Sequence, residues 1–198
     1  MKNIIFDLGG VILLGKAKDI LHKLNVTDDE YKVLIKFFDD WNVMDTTDET
    51  VETKFDSYNF PDSIKSKYKD KLIKYYELRD INKNLIDLIK ELKKNNRVYI
   101  LSDNNKDASN YYKTIDGLDN LDGYVFSYEY GTIKKDGKLF DILLEKYNLN
   151  PSDCYFIDDT KGNIEVANSK GMNGIYYTND EEVINYFKER GIIWKKNQ

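Results

Sequence analysis

The sequence is poor in the residue types on which much enzyme chemistry depends. It contains one cysteine, Cys154, and one histidine, His22, in 198 residues. A single cysteine excludes a disulfide within the chain and a Cys-rich zinc site. One histidine leaves almost no room for Ser-His-Asp or Cys-His catalysis or for a histidine-rich metal site. Any chemistry must therefore depend on carboxylates, lysines, hydroxyls and a cation that prefers oxygen ligands, such as Mg²⁺.

Long apolar runs and excess positive charge are also missing. No run approaches membrane-spanning length, and the N-terminus has the pattern of a strand rather than of a signal peptide. The formal net charge of −5 argues against nucleic acid or an anionic membrane as the main partner. We therefore expect a cytoplasmic globular protein, a monomer or homodimer, with one domain or one domain carrying a sizeable insertion.

What is present is a set of short apolar segments that alternate with helical patterns. The unalternating run Ile4–Phe6 predicts a first strand that is buried on both faces. Further strands are predicted over 97–101, 124–126, 154–157 and 174–177, with helices around 85–92, 139–147, 163–169 and 181–190. Strands separated by helices form a parallel sheet with helices on both faces.

Residues 15–80 interrupt this alternation, because they show helical patterns and no clear strand. Thr27 and Glu30 have the spacing of a capping box at the start of one of these helices. We therefore predict an α/β fold: a three-layer, parallel-sheet, Rossmann-like core formed by residues 1–14 and 81–198. The helical segment 15–80 is predicted to be inserted into this core as a cap.

Polar side chains follow several of the predicted strands. Taken singly, each has an ordinary explanation, such as a strand-ending turn, a helix cap or a surface lysine. Together they are harder to dismiss, because open α/β sheets bind ligands at the carboxyl ends of their strands. The residues are Asp7 with Gly9 and Gly10, Ser102 with Asp103, Lys134, and Asp158 and Asp159 with Asn163.

The order of these groups resembles that of the haloacid dehalogenase (HAD) superfamily. The resemblance lies in FDLGGVIL from Phe6, VYILSDNN from Val98, and the long segment from Tyr124 to Met172 that contains GTIKK and FIDDTKGN. It is strongest to the phosphatase branch with a small helical cap, which includes phosphatases of sugar 1-phosphates such as glucose 1-phosphate.

The resemblance implies a Mg²⁺-dependent phosphatase of a small phosphorylated metabolite. Asp7 would be the nucleophile that forms an aspartyl-phosphate. The metal would lie between Asp7, the carbonyl of Gly9 and Asp159, with Asp158 and Asn163 orienting the metal's surroundings. The remaining expected contacts with the phosphate come from Ser102, Asp103, Lys134 and the amides of Gly9 and Gly10.

One departure from the family leaves alternatives open. Family phosphatases usually carry an Asp general acid two residues after the nucleophile, and this chain has Gly9 there. Loss of a general acid typically costs about 10²–10⁴ in rate. A weak or inactive HAD-fold protein that binds phosphate or a protein partner is therefore the main alternative. A metal-free dehalogenase is a second alternative, which the paired Asp158 and Asp159 disfavour.

Overall fold

A computed structural model describes residues 1–39 and 41–193. Its strands are β1 (Asn3–Phe6), β2 (Leu13–Leu14), β3 (Asp80–Ile81), β4 (Arg97–Ser102), β5 (Gly123–Phe126), β6 (Cys154–Asp158) and β7 (Asn173–Tyr176). Its helices are α1 (Ala17–Lys23), α2 (Asp28–Leu34), α3 (Trp41–Met44), α4 (Val51–Ser57), α5 (Asp62–Leu72), α6 (Lys83–Leu92), α7 (Lys106–Tyr112), α8 (Lys138–Lys146), α9 (Lys161–Ser169) and α10 (Asp180–Glu189).

The main sheet has five parallel strands in the order β5-β4-β1-β6-β7. β1 occupies the centre, and Ile4, Ile5 and Phe6 are fully buried because helices cover both faces. One apolar cluster lies on the side of α6 and α10 and continues into the helices before β3, and a second lies under α8 and α9. The predicted α/β class and parallel Rossmann-like sheet are confirmed.

The segment between β2 and β3 is helical, and we call α1–α5 together with the 3₁₀ turn Tyr75–Leu78 the helical insertion. The predicted capping box is present: Glu30 N–H donates to the Thr27 hydroxyl at 3.3 Å, and Thr27 N–H donates to Glu30 at 2.8 Å. An aromatic group centred on Phe37 packs inside the insertion. The ring centroids of Trp41 and Phe55 lie 5.4 Å and 5.7 Å from that of Phe37.

A short antiparallel ribbon, which the sequence patterns did not predict, connects the insertion to the sheet. β2 and β3 pair through Leu13 with Ile81 and Leu14 with Asp80. Arg79 donates to the carbonyls of Leu13 at 2.8 Å and Gly15 at 2.9 Å. These contacts hold both connections of the insertion side by side.

None of the helices in the described ranges combines the length and the apolar character that crossing a bilayer requires. Cys154 and His22, the two residue types in shortest supply, have ordinary surroundings. Cys154 is fully buried at the start of β6, and His22 is exposed on α1. Neither contributes to the site described below.

Candidate active site

The parallel pairing of β1 with its two neighbours places three predicted residues at one edge of the sheet. Phe6 pairs with Ile100 of β4 and with Ile157 of β6. Asp7, Ser102 and Asp158 therefore lie at adjacent strand ends, and all three are buried. The fold thus brings together groups that are about 95 and 56 residues apart along the chain.

Lys134 enters this cluster from the 3₁₀ turn Lys134–Asp136, which lies between β5 and α8. Its ammonium lies 2.8 Å from Asp7 Oδ1 and 2.7 Å from Asp158 Oδ2, and the side chain is only 3% exposed. Burial opposes the charged form, but Asp7, Asp158 and Asp103 outweigh it and raise the pKa of the ammonium. Lys134 is therefore a fixed positive charge beside Asp7.

Asp158 uses both of its oxygens for hydrogen bonds within the protein. Oδ1 accepts from Thr160 N–H at 2.7 Å, while Oδ2 accepts from Lys134 and from the Asn163 amide at 3.0 Å. A carboxylate held in this way is suited to orienting its neighbours. Asp159 is exposed and accepts from the Thr160 hydroxyl at 3.3 Å. It is therefore the freer carboxylate of the pair.

The surroundings of Asp7 act on its pKa in opposite directions. Burial raises its pKa to about 6, and the nearby Asp158 acts in the same direction. The charge of Lys134 and hydrogen bonds from Lys134 and Ser102 oppose that rise. These two donors favour the ionised form, which is the form that acts as a nucleophile or a metal ligand.

Three carboxylates in the site can hold a metal ion. Oxygens of Asp7, Asp158 and Asp159 lie within 4.8 Å of one another. With Asp103 they make four carboxylates around the single charge of Lys134, so the cluster has an excess of negative charge. An all-oxygen donor set with this charge fits Mg²⁺ well.

Gly10 provides space for Asp159. Its φ is +76°, and a Cβ at this position would lie 2.0 Å from Asp159 Oδ2. A side chain at position 10 would therefore displace this carboxylate. The Gly10 N–H donates to the Leu13 carbonyl at 3.0 Å, so this amide, predicted as a phosphate donor, already has a partner in the turn.

Asp103 makes its closest contact with the backbone of the lysine turn. Its Oδ1 accepts from Lys134 N–H at 2.8 Å, and the residue is partly buried. Burial raises the pKa of Asp103, while the charge and the backbone hydrogen bond of Lys134 oppose the rise. In this structure, Asp103 positions Lys134, while its predicted contact with phosphate stays a prediction.

A cavity of about 330 Å³ lies in front of these groups, between the sheet and the helical insertion. Gly9, Ser102 and Asp103 line it from the sheet side. The insertion and its connection contribute residues that the sequence patterns did not identify as site residues: Phe38, Trp41, Asp45, Tyr75 and Arg79. Helical periodicity alone does not show which residues of an insertion face the sheet.

The chain is similar to known proteins both in sequence and in fold. A family model described as haloacid dehalogenase-like hydrolase matches residues 1–171. D-ribitol-5-phosphate phosphatase of Bacteroides thetaiotaomicron is 26% identical over 193 residues, covering 87% of this chain and 89% of the relative.

Two solved structures share the fold. A HAD family enzyme of Bacteroides thetaiotaomicron, in complex with magnesium and inorganic phosphate, is 21% identical with a TM-score of 0.69, covering 90% of this chain and 94% of that one. A HAD-like hydrolase of Porphyromonas gingivalis is 18% identical with a TM-score of 0.72, covering 100% and 99%.

Proposed function

We propose that this chain, which belongs to the haloacid dehalogenase-like hydrolase family, is a Mg²⁺-dependent phosphatase of a small phosphorylated metabolite. The observation that carries this proposal is the cluster of Asp7, Lys134, Asp158 and Asp159 at one edge of the sheet. It combines a candidate nucleophile, a fixed positive charge and a metal-binding set of carboxylates. The magnesium and phosphate bound to a protein of the same fold support the same chemistry here.

In the proposed reaction, Asp7 attacks the phosphorus and forms an aspartyl-phosphate, which water then hydrolyses. Lys134 and Ser102 border Asp7 and bind the phosphate oxygens. Mg²⁺, held by Asp7, Asp159 and the Gly9 carbonyl, would supply charge neutralisation for the phosphoryl group. Asp158 and Asn163 orient Lys134 and the loop that carries Asp159. Phosphoryl transfer depends mostly on such positioning and electrostatics, which this cluster provides.

We further propose that the substrate is a phosphate ester of a sugar or a sugar alcohol. The cavity combines polar residues with the rings of Trp41 and Tyr75, and its volume of about 330 Å³ fits a small polar molecule. The activity of the relative that acts on D-ribitol 5-phosphate supports this substrate class. In a sugar-alcohol phosphate, or in a sugar phosphate esterified away from the anomeric carbon, the leaving group is an ordinary alkoxide, which is more basic than the anomeric oxygen of a sugar 1-phosphate.

The helical insertion is proposed to act as the cap that closes this cavity. The Asn105 amide donates to the Tyr75 hydroxyl at 2.9 Å, and Val51 N–H donates to Asp107 at 2.7 Å. Both bonds join the insertion to the start of α7, which follows the carboxyl end of β4. Closure of a cap over the site excludes water and selects the substrate.

The second candidate function is phosphate or partner binding without turnover, and Gly9 favours it. A Cβ built at Gly9 would have no neighbour within 4 Å, so the place where a general acid would stand is open. A protein of this kind would retain the binding groups and lack the proton donor.

A panel of sugar, sugar-alcohol and aryl phosphates, assayed with Mg²⁺ and with EDTA, separates the two functions. We expect turnover that EDTA removes and that Asp7→Asn lowers by at least about 10³-fold, because this variant has no nucleophile. Asp19→Asn, an exposed carboxylate on α1, is the matched control and should behave like the wild type. Activity no higher than that of Asp7→Asn across the whole panel would contradict the phosphatase proposal and favour binding.

A further inference from the structure

An alkyl phosphate ester needs a proton donor, and the sheet side of the site does not offer a good one. Lys134 is shared between two carboxylates, and both oxygens of Asp158 accept hydrogen bonds. Asp7 is needed as the nucleophile and Asp159 as a metal ligand. Burial raises the pKa of Asp103, but its Oδ1 is already held by Lys134 N–H at 2.8 Å, which opposes that rise. A carboxyl group from the other side of the cavity is therefore the better candidate for the donor.

Asp45 is a carboxyl group whose surroundings suit this task. It follows α3, with its N–H bonded to the Trp41 carbonyl at 3.1 Å, and it lines the same cavity as Gly9 and Ser102. The residue is only 9% exposed, and its Oδ1 is buried with no hydrogen-bond partner among the described residues. A buried carboxyl oxygen without a partner is costly unless a ligand or a proton satisfies it.

We propose that Asp45, supplied by the helical insertion, is the catalytic acid and base of the reaction, in place of a carboxyl group at position 9. This inference rests on the proposed phosphatase function. Gly9 and Asp45 line the same cavity, and the position at Gly9 is open, so the insertion supplies a carboxyl group to the cavity where position 9 does not.

The proposed reaction has two steps. As Asp7 attacks phosphorus, the bond from phosphorus to the leaving oxygen breaks, and that oxygen takes the proton of Asp45 to leave as an alcohol. Ionised Asp45 then takes a proton from water while the water oxygen attacks phosphorus. The bond from phosphorus to Asp7 breaks, phosphate leaves, and both Asp7 and protonated Asp45 are restored.

The charges around Asp45 are consistent with this role. Burial raises its pKa to about 7, so the group can hold and release a proton near neutral pH. The charged groups that act on it come from the sheet and from α4: Asp103 and Asp7 raise the pKa further, while Lys134 and Lys54 lower it. Tyr75, which also lines the cavity, is a neutral neighbour at this pH, because burial raises its pKa.

The test compares Asp45→Asn with wild type on two substrates, an alkyl phosphate and 4-nitrophenyl phosphate, by steady-state and rapid-mixing kinetics. For the alkyl ester we expect kcat/KM to fall by about 10²–10⁴-fold, because its leaving oxygen needs the proton. For the aryl ester we expect kcat/KM to stay within about threefold, since 4-nitrophenolate leaves without a proton. The aryl ester should also show a burst of 4-nitrophenol, because hydrolysis of the phosphoenzyme has lost its base.

The pH profile gives an independent readout. In wild type, kcat/KM for the alkyl ester should fall above about pH 7, where Asp45 loses its proton, while the aryl ester shows no such limb. Asp48→Asn, an exposed carboxylate three residues away, is the control and should leave both substrates unchanged. Asp45→Ala provides a second variant with the same expected pattern.

Equal loss of kcat/KM for both esters would make Asp45 a structural or binding residue and would overturn the proposal, as would no loss for either. If Asp103→Asn loses kcat/KM for the alkyl ester but not for the aryl ester, and Asp45→Asn loses neither, the acid is Asp103 and the proposal is overturned. A wild-type protein that hydrolyses neither ester contradicts the phosphatase function itself, which is a different outcome from any of these.

Discussion

At the scale of single residues, Gly9 and Gly10 have different roles although they are adjacent. Gly10→Ala should weaken Mg²⁺ binding by about 10–100-fold, because its Cβ would occupy the place of the Asp159 carboxylate. Gly9→Ala should leave Mg²⁺ affinity unchanged, since its Cβ meets open space and its carbonyl is retained. Calorimetric titration with Mg²⁺ checks both, and equal losses in the two variants would contradict the steric explanation.

The raised pKa of Asp45 should also make the free energy of unfolding depend on pH. Its pKa is 3.8 in the unfolded chain and about 7 in the folded one, so between these values the folded state binds more protons. The contribution of this group to the free energy of unfolding is therefore greatest below about pH 4, falls as the pH rises to 7, and is constant above.

Asp45→Asn removes this dependence. Relative to wild type, the variant should gain about 2 to 4 kcal/mol in the free energy of unfolding between pH 4 and pH 8. Urea denaturation at several pH values measures the difference. A difference that does not change with pH would show that Asp45 has the same pKa in the folded and the unfolded chain, which would also remove a support of its proposed role.

The residues of the sheet edge could be predicted from the sequence, whereas Asp45 could not. Asp7, Ser102 and Asp158 each come directly after an apolar run, so their neighbours in the chain indicate their place. Asp45 lies in the insertion, and its distance from the sheet depends on contacts such as those of Tyr75 with Asn105 and Val51 with Asp107. No local pattern encodes these contacts.

At the scale of secondary-structure elements, Arg79 joins the two connections of the insertion through hydrogen bonds to Leu13 and Gly15. Arg79→Met retains the aliphatic stem and loses the hydrogen bonds to Leu13 and Gly15. We expect the free energy of unfolding to fall by about 2 kcal/mol, which is typical for charged hydrogen bonds to buried partners. KM should rise as well, because the cap is less well positioned.

Lys23→Met is the matched control for Arg79. Lys23 also contacts this connection, through Asp80 at 2.7 Å and the Leu78 carbonyl at 2.7 Å, but it is exposed. Exposed pairs contribute little, so the control should lose much less stability. Equal effects in chemical denaturation would contradict the view that Arg79 holds the ribbon.

The elements of the sheet were predictable and the ribbon was not, for a physical reason. Strands β4 and β6 each contain an apolar run of four residues, 98–101 and 154–157, that is mostly buried and differs from helical patterns. Strands β2 and β3 have two residues each, too few to show any period. Contacts between residues far apart in the chain, including those of Arg79, hold them together.

At the scale of the whole molecule, metal binding should be coupled to stability. Mg²⁺ at 100 times its dissociation constant should raise the free energy of unfolding by about 2.7 kcal/mol, because only the folded chain brings Asp7, Asp158 and Asp159 together. Asp159→Asn should lose this increment. Asp153→Asn, at the opposite end of β6, should retain it, and a similar loss there would point to nonspecific ion binding.

The most direct test of the central claim is a crystal structure with Mg²⁺ and beryllium trifluoride, an analogue of the phosphoryl group on an aspartate. The account predicts beryllium bonded to a carboxylate oxygen of Asp7, with its fluorides near Lys134 and Ser102 and with Mg²⁺ held by Asp7, Asp159 and the Gly9 carbonyl. A fully occupied analogue bonded to another residue, or Mg²⁺ bound away from these carboxylates, would contradict it.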